Sequence, residues 1–132
     1  MFRLKVVTPQ RVFFEAAVKT LVIRGIEGDL AVMKGTTPLL TPTKISVATL
    51  HLEDGTRKLA AVGRGYIAVE KNGATLVTES AEWPEDIDVA RAEAAKKRAE
   101  SYLNTQSEDI DYERARIALL KAINRINVAG KK

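Results

Sequence analysis

The distribution of glycine and proline constrains this chain more than any other feature. Seven of its eight glycines and all four prolines lie at or before Pro84, and beyond it the only glycine is Gly130. The first part can therefore turn often, whereas the second has almost nothing to interrupt a helix. With 132 residues the chain has room for one domain, or for a small domain plus an appendage. A two-part α+β protein is expected: an N-terminal antiparallel β-sandwich over residues 1–84 and a C-terminal antiparallel two-helix hairpin over residues 85–132.

Strand signals fill the first part. Phe2, Leu4 and Val6 alternate with polar residues before Pro9. Val18 and Thr20 flank Lys19, and the run Leu21-Val22-Ile23 leads to Gly25. Ile45, Val47 and Thr49 alternate with smaller or polar residues. Asp54-Gly55 and Asn72-Gly73 are dipeptides that supply the positive φ of tight hairpin turns, the second between residues 65–69 and 75–77. Gly25 and Gly28, followed by Asp29, read as turn formers. Short strands separated by such turns point to a sandwich or flattened barrel.

The second part reads as two helices. Residues 87–103 hold five alanines among Lys, Arg and Glu, all strong helix formers. Val89, Ala92, Ala95, Ala99 and Tyr102 form a thin apolar stripe at spacings of three and four. After the polar break at residues 104–107, Thr105 and Glu108 have capping-box spacing for a second helix. Its own stripe is Tyr112, Ala115, Leu119, Ile123 and Ile126. So short a link makes the two helices antiparallel, and a seam of small side chains makes their association weak. Trp83, ahead of Pro84, is expected to pack where the two parts meet.

Charge is arranged differently in the two parts. Residues 1–84 carry 11 basic and 8 acidic groups, mixed along the chain, within a total net charge of +4. From Arg114 to Lys132 there are six basic residues (Arg114, Arg116, Lys121, Arg125, Lys131 and Lys132) and no acidic one. An acidic partner should meet that end. EDIDVARA at residues 85–92 is echoed by EDIDYERA at residues 108–115. Acidic residues at a helix start suit the dipole, and Asp88/Arg91 and Asp111/Arg114 have ion-pair spacing. The motif thus has a sufficient structural explanation. Helical geometry adds to it, because Asp88, Arg91 and Arg98 share one face and Arg114, Lys121 and Arg125 share another. Folded as a hairpin, the helices bring these cations to one seam, which favours a bound polyphosphate or an acidic helix equally.

Catalysis has little to work with. There is no cysteine, and His51 is the single histidine, so disulfides, thiolate sites and multi-imidazole sites are excluded. His51 reads as a structural or surface residue. Gly63-Arg64-Gly65 precedes a strand rather than a helix, and no phosphate loop occurs. An enzyme built on Glu82, Asp88 and Arg91 would lack a nucleophile–base pair. A stand-alone basic module binding nucleic acid through the hairpin is the alternative; the mixed charge of residues 1–84 and the few aromatics count against it. The start, MFRLKVVTPQ, has no long apolar run with a cleavage site, and no stretch approaches the roughly 20 apolar residues of a membrane span.

VVTPQRVFFE, GDLAVMKGTTPLLTP, AAVGRGYIAVEKNGATLVTESAE and EDIDVARAEAAKKRAE, in that order, resemble the bacterial epsilon subunit family of F-type ATP synthase along essentially the whole chain. The resemblance implies a non-catalytic rotor subunit at the cytoplasmic face of the plasma membrane, in a complex that couples proton translocation to ATP synthesis. It implies a sandwich docked on the gamma subunit and the c-ring. It also implies a mobile helical arm that inhibits ATP hydrolysis, folding onto the sandwich or extending toward the beta and alpha subunits. In the extended state Arg114, Arg116, Lys121 and Arg125 would meet an acidic segment of beta. In the folded state an I-D-x-x-R-A motif would bind ATP as a regulatory ligand, with no required cofactor and no metal site. The matching positions are Glu82, Ile87, Asp88, Arg91 and Ala92, with Arg98, Lys121 and Arg125 as cations. Lys121 replaces a guanidinium fork by a point charge. Two stretches depart from the family pattern: Ala31–Thr36 stands where G-I-L-P-G-H is usual, and Gly63–Tyr66 where S-G-G-F is usual.

Overall fold

The computed structural model describes residues 1–105 and 111–130, in two units, Met1–Glu82 and Trp83–Lys132. The first unit contains ten strands: β1 (Phe2–Val7), β2 (Val12–Val18), β3 (Thr20–Gly25), β4 (Gly28–Met33), β5 (Leu39–Thr43), β6 (Ser46–His51), β7 (Arg57–Val62), β8 (Gly65–Glu70), β9 (Gly73–Thr78) and β10 (Ala81–Glu82). They follow the order β10-β7-β6-β3-β5-β8-β9-β1-β2, with β4 also paired to β3. β3 meets β5 only at Gly25 and Thr43, so the ladder turns a corner there. One layer holds β10, β7, β6, β3 and β4; the other holds β5, β8, β9, β1 and β2. Between them lie Leu4, Val18, Leu21, Ile23, Val32, Leu50, Ile67 and Leu76, all essentially inaccessible to solvent.

The alternation of Phe2, Leu4 and Val6 holds, and all three are buried. The pattern changes at Lys19. Val18 points inward at the end of β2, and Leu21 and Ile23 point inward from β3, so the period slips by one at Lys19–Thr20. That is where the chain passes from one layer to the other. The alternation of Ile45, Val47 and Thr49 holds as well, and theirs is the outer face. Ser46, Ala48 and Leu50 are buried, while Val47 and Thr49 are only half-buried. A β-branched side chain fits any pleated, half-covered surface, and a shift of one residue exchanges the two faces.

Asp54-Gly55 turns as expected: Gly55 has φ +86°, and Asp54 Oδ1 accepts the Thr56 N–H at 2.8 Å. The hydrogen bonds from Thr56 hold the Asp54 carboxyl below its ordinary pKa. Asn72-Gly73 works differently. Glu70 pairs with Gly73, so Lys71 and Asn72 form the loop, and neither they nor Gly73 take a positive φ. Glycine is needed at 73 for close approach, since a Cβ there would lie 2.7 Å from the Arg3 carbonyl oxygen. The contact arises because β1 runs parallel to β9, the one parallel pairing in an otherwise antiparallel sandwich.

The second unit opens with a 3₁₀ turn at Pro84–Asp86, which packs on the second helix. Two helices follow, α1 (Val89–Asn104) and α2 (Tyr112–Ala129), packed on each other. Asp88 caps α1, its Oδ1 accepting the Arg91 N–H at 3.0 Å. Asp111 caps α2 in the same way through Arg114 N–H at 3.1 Å. The echoed acids are therefore caps, and the carboxylates serve backbone N–H groups instead of the ion pairs expected with the Arg91 and Arg114 side chains. Glu108 of the expected capping box, with the rest of residues 106–110, and Lys131 and Lys132 lie outside the described residues; the observed cap of α2 is Asp111.

Candidate functional site

The hairpin seam is built on alanines seven residues apart, with Val128 fully buried beside the last of them. Ala92 and Ala99 are buried on α1, and Ala115, Ala122 and Ala129 on α2. The larger ends of the expected stripes, Val89, Tyr102 and Tyr112, are exposed, and Leu119, Ile123 and Ile126 are half-buried. A seven-residue repeat keeps one narrow stripe facing its partner, and methyl-sized side chains let the helices approach closely. In an antiparallel hairpin turning near residue 105 Ala99 comes level with Ala115, and the equal repeats then set Ala92 level with Ala122.

A cation stands directly before each of these four alanines: Arg91, Arg98, Arg114 and Lys121. One residue back is about 100° round a helix. Because the helices run in opposite directions, the "one residue before" flanks of both lie on the same side of the hairpin. The four cations thus form two levels, Arg91 with Lys121 and Arg98 with Arg114, and Arg125 shares the Lys121 flank. Arg91, Arg98 and Arg114 are exposed, and among the described residues their guanidinium groups make no ion pair or hydrogen bond. Lys121 and Arg125 are half-buried and engaged within the folded chain.

The other candidate residues fall into distinct places. Ile87 and Ala92 are buried, while Asp88 is exposed at the helix start. Glu82 belongs to the first unit, half-buried in β10 opposite Ala61. Arg116 follows Ala115 and so occupies the flank opposite the cation row. There Glu113 holds it through two bonds, the shorter 2.6 Å, which raises the Arg116 pKa further. The Glu113–Arg116 spacing signals that pairing, although the basic run as a whole obscures it. Trp83 is half-buried at the residue preceding the 3₁₀ turn. Among the described residues no cluster of three metal-ligating side chains occurs.

The sandwich presents a surface that sequence reading missed. Pro42, Tyr66, Val77, Val7 and Val12 are successive cross-strand partners over β5, β8, β9, β1 and β2. Their strand neighbours Ile67, Leu76 and Val6 point into the core, so this row points out. Leu40, one pleat away on β5, is 71% exposed and Tyr66 is 46% exposed. The row joins strands distant in sequence, and only the register brings it together. In the stretches that depart from the family pattern, the Thr36 hydroxyl accepts the Met33 N–H at 2.9 Å. Arg64 pairs with Glu79 at 3.5 Å.

Two family models match the chain. "ATP synthase, Delta/Epsilon chain, beta-sandwich domain" covers residues 1–84, and "ATP synthase, Delta/Epsilon chain, long alpha-helix domain" covers residues 85–130. The ATP synthase epsilon chain of Syntrophomonas wolfei is 41% identical over 130 residues, spanning 98% of this chain and 95% of that one. That of Bacillus velezensis is 41% identical over 128 residues, spanning 97% and 96%. A chain of the Euglena gracilis mitochondrial ATP synthase (OSCP/F1/c-ring) shares the fold at a TM-score of 0.84 and 18% identity, over 99% of this chain and 81% of that one. The chain belongs to the delta/epsilon family of ATP synthase subunits, as a non-catalytic, accessory chain.

Proposed function

We propose that this chain is a central-stalk subunit of an F-type ATP synthase whose helical arm restrains ATP hydrolysis and whose folded hairpin senses ATP. The single observation that carries the reading is the row of cations before the seam alanines. Exposed guanidinium groups that have no carboxylate partner among the described residues, held on one side of a hairpin with a seam of small side chains, suit an anion in the folded state and an acidic protein surface in another. Arg91, Arg98, Lys121 and Arg125 would hold the polyphosphate, since charge-assisted bonds offset their mutual repulsion. Asp88 would orient the site or accept a sugar or base hydrogen bond, buried Ile87 and Ala92 would form its floor, and Glu82 is included through its match to the family motif. A ligand that binds only the folded arm stabilises it by about 2.7 kcal/mol at a hundredfold excess over Kd. It therefore opposes the inhibitory state.

The outward apolar row on the sandwich supports docking on the gamma subunit and the c-ring, because contiguous exposed apolar residues mark protein contacts. Among the described residues no helix is long and apolar enough to cross a membrane; the cytoplasmic face of the plasma membrane is the place that the family resemblance implies for such a subunit. In the extended state Arg114, Arg116, Lys121 and Arg125 would meet beta and alpha. The test is made on the assembled complex. Removing residues after Asn104, or replacing these four cations by alanine, should raise ATP hydrolysis. A subunit ending near Trp83 should still join the complex. Unchanged hydrolysis in both arm variants, or failure of the truncated subunit to assemble, would overturn the reading.

A further inference from the structure

The two cation levels are separated by seven residues, about 10 Å along the helix axes at 1.5 Å per residue. That separation is at least the screening length at physiological salt, so each level attracts an anion almost independently. A triphosphate tail held by Arg91, Arg98, Lys121 and Arg125 still leaves Arg114, on the Arg98 level, with charge to spare. We infer that the folded hairpin is a track for a linear inorganic polyphosphate, whose chain bridges both levels and needs no base or sugar. The inference rests on the anion-binding reading of the same seam and deepens it. Its own evidence is the repeat itself. Arg114 precedes Ala115 as Arg98 precedes Ala99, so the upper level duplicates the lower one and lies on the same flank. Both upper-level guanidinium groups are exposed and, among the described residues, unpaired. Guanidinium forks match phosphate oxygens in pairs, so each level can hold one segment of the chain.

Arg116 supplies a control of equal charge. It stands two residues from Arg114 but on the opposite flank, held by Glu113. Calorimetry on the full chain at matched ionic strength compares tripolyphosphate, long-chain polyphosphate, ATP and single-stranded DNA. Long-chain polyphosphate should bind about tenfold more tightly than tripolyphosphate, the gain of a second level. Arg98→Gln and Arg114→Gln should each cost about fivefold in that affinity, and Arg116→Gln less than about twofold. Circular dichroism of each variant checks that the helices persist. Equal losses from Arg114→Gln and Arg116→Gln would mean attraction to net charge only and would overturn the inference. So would a long chain no tighter than tripolyphosphate, or DNA binding as tightly as polyphosphate. If ATP binds and the long chain gains nothing, this inference falls alone. If the long chain behaves as expected while ATP does not bind, the nucleotide reading falls and this one stands.

Discussion

The sandwich and the hairpin solve the packing problem with different side chains. Between the sheets lie Leu4, Leu21, Ile23, Leu50, Ile67 and Leu76, each worth about 1.5–3 kcal/mol on full burial. Along the hairpin seam the buried groups are mostly alanine methyls, each worth on the order of 0.8 kcal/mol. The sandwich therefore has stability to spare, and its outer apolar row can be devoted to a partner. The hairpin has little, and it carries its exposed cations beside the seam. A given binding energy is therefore a larger share of what holds the hairpin than of what holds the sandwich.

The largest effect that probes this contrast lies in the sandwich core. Ile67→Ala removes a fully buried side chain between the layers and should destabilise the sandwich by about 2–5 kcal/mol. Urea unfolding followed by probes in the sheet, with helical circular dichroism in parallel, should show the sheet transition shifting to lower urea while the helical transition stays in place. A matched shift of both signals would mean that the two units share one cooperative transition, and the comparison would lose its basis.

A smaller effect sharpens the same contrast from the other side. Ala122→Leu places a branched side chain where methyl groups set the helix spacing, and overpacking of this kind costs about 1–3 kcal/mol. The hairpin should loosen, with its amide protons exchanging faster, while the sheet amides keep their protection. A neutral result at Ala122 would show that the seam is not closely packed.

The parts of the molecule that sequence reading reached were those set by local chemistry. Phe2, Leu4 and Val6 declare their face by strict alternation, and Asp54-Gly55 declares its turn by the one residue that tolerates positive φ. Asp88 and Asp111 declare helix starts through the repeated motif. What escaped depends on partners far along the chain. The parallel pairing of β1 with β9 joins segments about 70 residues apart, and no hairpin signal marks it. The exposed row from Pro42 to Val12 exists only through that pairing. The inward face of β6 went to Ala48 and Leu50 because the neighbouring strands set its register. In the hairpin, spacings of three and four made Val89, Tyr102 and Tyr112 look like core. The narrow seven-residue seam leaves them outside.

Binding of ATP to the full chain tests the central claim most directly, because the cation row of a lightly held hairpin is what distinguishes regulation from simple docking. Titration calorimetry should show wild type binding ATP, with Arg91→Ala losing most of the affinity. The two caps separate structure from ligand contact. Asp88→Ala and Asp111→Ala should each cost about 1 kcal/mol of helix stability, since each carboxylate caps one helix. Only Asp88→Ala should also weaken ATP binding substantially. Equal losses of ATP affinity from both variants, or no heat from wild type at millimolar ATP, would contradict the account and leave Asp88 as a helix cap alone.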